Sequence, residues 1–168
     1  MALTKIQSLG ITDGTIVNAD INASAAIAGT KLTGVGKVLQ VTNFTNTTSY
    51  STTSSSYQDA FSTTFTPTLA TSKVLILCTI DCQKNNTDCH ISVKLLRDGA
   101  TNVGEFLTLL NTNNTQFIAS VQSFNVLDTP NTTSAITYKI QFKVGGTGTA
   151  EVNGYSRKST LTFLEIAA

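Results

Sequence analysis

Tryptophan is absent from this 168-residue chain, histidine occurs once, proline twice and cysteine three times. A lone His90 excludes paired-histidine metal motifs and leaves a single base for any Ser or Cys nucleophile. With no Trp and no Cys pair at the spacing of an immunoglobulin sandwich, that fold is disfavoured. Charge is scarce as well: Asp, Glu, Lys and Arg make up 12% of the chain, against roughly 25% in an average globular protein. Eleven Lys and Arg offset ten Asp and Glu without a basic run, so no footprint for a phosphate backbone is present and nucleic acid is not an expected partner. The longest apolar stretch, Val74 to Cys78, is far below the roughly 20 residues that cross a bilayer, and no membrane insertion is expected. The opening Met1-Ala-Leu-Thr-Lys-Ile-Gln-Ser8 has neither the basic start nor the apolar core of a secretory signal, which predicts synthesis in a cytoplasm.

What is present is a β pattern. Ile136, Tyr138, Ile140, Phe142 and Val144 alternate with Thr137, Lys139, Gln141 and Lys143, the mark of a strand with one buried face. Ile91, Val93 and Leu95 alternate in the same way and run into Arg97-Asp98-Gly99-Ala100, a hairpin turn in which Asp-Gly takes positive φ. Lys73 to Thr79 is apolar on both faces, as a strand covered on each side by protein would be; a subunit interface is one source of that cover. Further strands are predicted over Val38–Phe44, Tyr57–Phe65, Phe106–Leu110, Gln116–Phe124, Thr149–Asn153 and Ser159–Ile166. Val144 to Thr149, rich in Gly, lacks the Lys and helix of a phosphate loop and reads as a hairpin turn. Many short strands at this spacing predict an all-β fold: an antiparallel β-sandwich, jelly-roll-like.

The chain divides at Gly34-Val35-Gly36, since every Phe and Tyr lies after it. Residues 37–168 form the expected β-sandwich domain, and 1–36 an extended N-terminal arm for attachment or trimerisation. In the arm Ile6, Ile11, Ile16 and Ile21 stand five apart, with Ile27 and Leu32 repeating the step after a one-residue slip. Five fits neither helix nor strand, and one subunit leaves such a ladder without cover, so these six residues are the candidate attachment and trimer contacts.

Little here points to catalysis. Cys89 and His90 are adjacent and would point to opposite faces of a strand, which separates them as a dyad. Cys82, Cys89 and His90 lack a Cys-x-x-Cys knuckle and a clear fourth zinc ligand. Cys82 and Cys89 flank a loop that a disulfide could cross, with free thiols as the other state; Cys78 reads as core. No enzyme activity, cofactor or metal is therefore expected.

The stretch from Gly10 through Asp13, Ile16, Asp20, Ile21 and Ile27 to Leu32 resembles a segment recurring in tail fibre and other virion structural proteins of tailed phages of marine bacteria. Gly36-Lys-Val-Leu-Gln40, Leu96-Arg-Asp-Gly99, Thr129 to Phe142 and Ser159 to Ala167 are similar to the carboxy-terminal domain of those proteins. The resemblance implies a non-enzymatic bacteriophage virion protein, made in the host cytoplasm, a homotrimer anchored by its arm and displaying its β domain outward. It would contact other phage virion proteins and, through the outer domain, a host surface glycan or receptor. A short fibre or fibre-like surface protein is the first expectation, with a capsid decoration (cement) or head fibre protein beside it. From another class, a glycan-binding module stays open. Replacing Ile11, Ile16 and Ile21 together by Ser should abolish attachment to particles lacking the protein, each residue forfeiting up to about 1.5–3 kcal/mol of burial. The thermal transition of the β domain, followed by circular dichroism, should be retained.

Overall fold

The computed structural model describes residues 37–85, 89–110 and 117–167. Ten strands follow in order: β1 (Val38–Asn46), β2 (Tyr50–Thr52), β3 (Gln58–Phe65), β4 (Lys73–Asn85), β5 (Cys89–Arg97), β6 (Thr101–Leu109), β7 (Phe117–Asp128), β8 (Ile136–Gly146), β9 (Thr149–Val152) and β10 (Ser159–Ile166). Sheet A runs β1-β10-β4-β7, with the short β9 and β2 continuing the β10 and β1 positions beside the far half of β4; sheet B runs β3-β8-β5-β6. Every pairing is antiparallel. Setting aside the short β2 and β9, the eight long strands lie in the orders first-eighth-third-sixth and second-seventh-fourth-fifth, which is a jelly roll. The all-β antiparallel sandwich expected from the sequence is thus the observed fold.

Alternation builds the core. Val74, Ile76, Cys78, Ile80 and Cys82 of β4 with Leu161 and Phe163 of β10 face Ile91, Val93 and Leu95 of β5 and Ile136, Tyr138, Ile140, Phe142 and Val144 of β8. Phe65 of β3 stacks on Phe163, ring centroids 5.2 Å apart, and ties the two sheets together. At the other side of the same end the Tyr138 hydroxyl donates to Asp128 Oδ2 at 2.7 Å, while Arg97 Nη1 meets Asp128 Oδ1 at 2.6 Å. One carboxylate of β7 thereby binds β5 and β8 of the opposite sheet. Burial, and then the bond to Asp128, push the Tyr138 phenol well above its ordinary range.

Two connections differ from expectation. The Gly-rich segment after Val144 does not close a hairpin: β8 belongs to sheet B and β9 to sheet A, and Gly146 (φ 81°) and Gly148 (φ 117°) turn the chain from one sheet to the other. The connection between Cys82 and Cys89 likewise joins strands of different sheets instead of neighbours, and no disulfide links the two cysteines. The Asp98-Gly99 turn is as expected, with φ of 49° and 75° between β5 and β6. The strand foreseen over Lys73–Thr79 extends to Asn85, and the short β2 was not foreseen.

Glu165 of β10 is buried and gathers the segment before β4. It accepts from Gln40 Nε2 at 2.7 Å, from the Thr68 and Leu69 amides at 2.8 and 3.0 Å, and from Ser72 Oγ at 2.5 Å. Burial alone would raise its pKa, but the bonds from Ser72, Thr68, Gln40 and Leu69 outweigh it and hold the carboxyl at about 2, from an ordinary 4.5. Because the folded value is depressed, this stabilisation is fully present above pH 4.5 and is lost as the pH falls towards 2. Glu165→Gln should lower stability at pH 7 by about 1–3 kcal/mol in urea titrations. It should also flatten the decline of stability between about pH 4.5 and 2.

Candidate functional site

The outer face of sheet A is where polarity and position disagree. Register places Val41 of β1, Leu164 of β10, Leu75 of β4 and Leu127 of β7 side by side, one apolar row crossing the whole sheet. Val41 is 59% and Leu127 56% exposed, while Leu164 and Leu75 are half-buried by their neighbours. Val38 and Ile166 flank the row on one side and Leu77 on the other. The next rows are Asn43-Thr162-Leu77-Asn125 and Thr45-Thr160-Thr79-Ser123, uncharged throughout. A monomer that leaves such a row open to water loses the burial that four aliphatic side chains would otherwise contribute.

A buried polar knot fixes the middle of this face. Sheet partners of β4 change from β10 to β9 around Asp81, and the gap is filled by one side chain and one backbone amide. Ser159 Oγ accepts from the Asp81 amide at 3.0 Å, and the Asp81 carbonyl accepts from the Asn153 amide at 3.1 Å. Asn153, itself buried and left-handed (φ 57°), spans the matching gap between β1 and β2: its Nδ2 donates to the Asn46 side chain and carbonyl and to the Thr48 carbonyl. Gln83 Nε2 donates to Asp81 Oδ1 and to the Gly154 carbonyl, both at 2.8 Å. The loop so held carries Tyr155, 80% exposed, edge-on to Phe117 at 5.8 Å.

The outer face of sheet B contrasts with it. Lys139 pairs with Asp59 at 2.8 Å, and Lys139 with Gln141 holds that carboxyl below its usual range. Tyr57 lies under the ammonium groups of Lys94 and Lys143, 4.2 and 4.6 Å from its ring, and donates to Glu105 Oε1 at 2.7 Å. Burial and that carboxylate push its phenol upward. This surface satisfies its own charges. A cleft of about 240 Å³ opens between the edges of β1 and β3 over Phe44, Phe65 and Phe163, rimmed by Thr and amide side chains.

Of the residues singled out in the sequence, Ile6, Ile11, Ile16, Ile21, Ile27 and Leu32 and the arm they belong to lie outside the described residues. Cys89 is buried in the core and His90 lies on the outer face of sheet B against Gly145, so the two do point apart. Among the described residues no three of His, Cys, Asp and Glu come together as metal ligands. Sequence reasoning noticed the two-faced β4 but missed Val41, Leu164 and Leu127. The signal was a change of parity in β10, where Leu161 and Phe163 give way to Leu164 and Ile166 with Glu165 turned inward.

No family model matches this chain, and no curated protein matches it. Among solved structures it is similar to the VP2 protein of infectious bursal disease virus. Derived T=1 particles of an aspartate-to-asparagine mutant share 14% identity over 76% of this chain, with a TM-score of 0.43, and the VP2 subviral particle shares 15% over 78%, with 0.42. This chain spans 36% and 38% of the length of those two. At such TM-scores the similarity carries no functional information.

Burial pushes the Cys78 and Cys82 thiols up to about 12, with Asp81 adding to the rise at Cys82. Because all three cysteines are buried, they should resist a thiol-reactive dye in the folded protein at pH 8 and titrate as three thiols in denaturant. A signal of one thiol in denaturant would instead reveal a disulfide.

Proposed function

We propose that this protein is a non-enzymatic structural component of a virion, working as a homotrimer. The observation that carries the reading is the apolar row Val41-Leu164-Leu75-Leu127, which crosses sheet A on the face turned away from the core. Association of copies through a weakly charged, Thr- and Asn-rich surface with an apolar centre suits a protein made to assemble. Its buried carboxylates support the same reading, for Asp128 and Glu165 are engaged in bonds that hold strands and loops together. In its finer form, the protein is a short fibre or fibre-like surface protein of a tailed phage, held by residues 1–36 and presenting the jelly roll outward. Neighbouring virion proteins take the arm and a host glycan or receptor meets the domain.

Light scattering on the purified full chain at micromolar concentration should give three times the 17.8 kDa chain mass. Leu75→Lys with Leu127→Lys should give monomers that keep a cooperative thermal transition, since both side chains lie off the core. A wild-type monomer would overturn the assembly reading. Gradient-purified particles free of the protein, probed with an antibody to the jelly roll, would overturn the virion assignment.

A further inference from the structure

Among the described residues three strands of sheet A are unpaired on their outer side: β1 and the three-residue β2 along one edge, and β7 along the other. Exposed strand edges invite pairing with other chains, and soluble proteins guard them with charges, bulges, prolines or brevity. The edges of sheet B are guarded. β3 has a bulge between Asp59 and Ser62 and the Asp59–Lys139 ion pair, and β6 has two register shifts against β5 together with Gly104 and Glu105. β7 is different. It pairs with β4 over twelve consecutive residues without a bulge, and from Phe117 to Leu127 it contains no charge and no proline. β1 beyond its irregularity at Leu39 is equally bare, from Gln40 to Asn46.

We propose that β7 of one copy pairs antiparallel with β1 of a second copy, so that sheet A continues from subunit to subunit. Three antiparallel steps separate β1 from β7, so the two run in opposite directions, and a second copy placed in line presents its β1 antiparallel to β7. The side chains then match in the register that keeps the rows level. Leu127 meets Val41, Asn125 meets Asn43 and Ser123 meets Thr45 on the outer face, while Val126 meets Thr42 and Phe124 meets Phe44 on the inner one. Aliphatic faces aliphatic, amide faces amide, hydroxyl faces hydroxyl and aromatic faces aromatic, combinations that stabilise cross-strand pairs. Neither edge brings a charge that the other must answer, which favours a second copy over a charged partner. The contact joins two different edges, so it is heterologous and closes when repeated about a rotation axis. It rests on the self-assembly reading above and adds to it an edge contact, which joins the apolar rows of two copies at Leu127 and Val41.

Paired residues of antiparallel strands lie about 4.5–5.5 Å apart at Cα, within the span of a disulfide. Full-length protein carrying Asn43→Cys and Asn125→Cys, both at exposed positions, tests the pairing under mild oxidation, with the native thiols buried. Disulfide-linked dimers and trimers are expected on non-reducing denaturing gels. An equal mixture of the two single variants should link, while each single variant alone should not. Linking by Asn125→Cys alone would show β7 pairing with β7 and overturn the proposal. A trimer by light scattering in which the double variant fails to link would also overturn it while leaving the virion reading in place. A monomer would remove both.

Discussion

Strand β4 is flanked on one edge by β7 from Val74 to Asn85 and on the other by β10 to Thr79 and β9 from Cys82, and the rest of the domain is arranged around keeping them there. On the β7 side one continuous strand suffices. On the other side the chain supplies two, β10 and β9, and the break between them would strand polar groups at Asp81 if nothing filled it. Ser159 and Asn153 fill it, and Asn153 reaches on to close the matching break between β1 and β2. Asn153 thus bridges two interruptions, through its backbone amide at one and its side-chain amide at the other, so that the rows on either side of it remain level across the sheet.

Level rows give the outer face of sheet A its character. Because the register is continuous, apolar residues that look isolated along each strand line up across four of them. The inner face follows the ordinary rule of alternation and buries most of its set, with Phe44, Phe124 and Val126 at the edges half-buried, whereas the outer face is apolar in one row, with the two rows on its Leu77 side uncharged and Lys73 beyond it on the other. Sheet B has no such row. Its outer lysines are occupied by Asp59 and by the ring of Tyr57, so the two broad surfaces of the sandwich have opposite habits: one is satisfied within the chain, the other is not.

Much of this was legible in the sequence, and the reasons differ by element. β8 announces itself by strict alternation, and β5 by the alternation of Ile91, Val93 and Leu95, although Ser92 and Leu96 on its other face are buried as well. β4 was marked as two-faced, which is correct for a central strand with apolar side chains on both sides. The switch of sheet after Val144 was not legible: Gly-rich turns serve hairpins and crossovers alike, and only pairing partners 64 to 84 residues away decide between them. The apolar row was hidden for a related reason. Its members lie on four strands far apart in the chain, and no single window contains two of them outside their own strand. Asn153 and Ser159 are ordinary polar residues in sequence, and their role exists only once β4 has two partners to bridge.

Topology also sets when this surface can exist. β1 precedes β10 by more than a hundred residues, yet β10 is the strand that lies between β1 and β4. Pairings so distant in sequence fold slowly, because the closure entropy of the long loop must be overcome before any contact rewards it. On a ribosome, β1 has no neighbour in its sheet until residues 159–166 have emerged, and neither Val41 nor Leu164 has a row to join. The face completed by that strand therefore appears only after residues 159–166 have been made, and a chain not yet grown that far cannot be captured prematurely by its finished siblings through it.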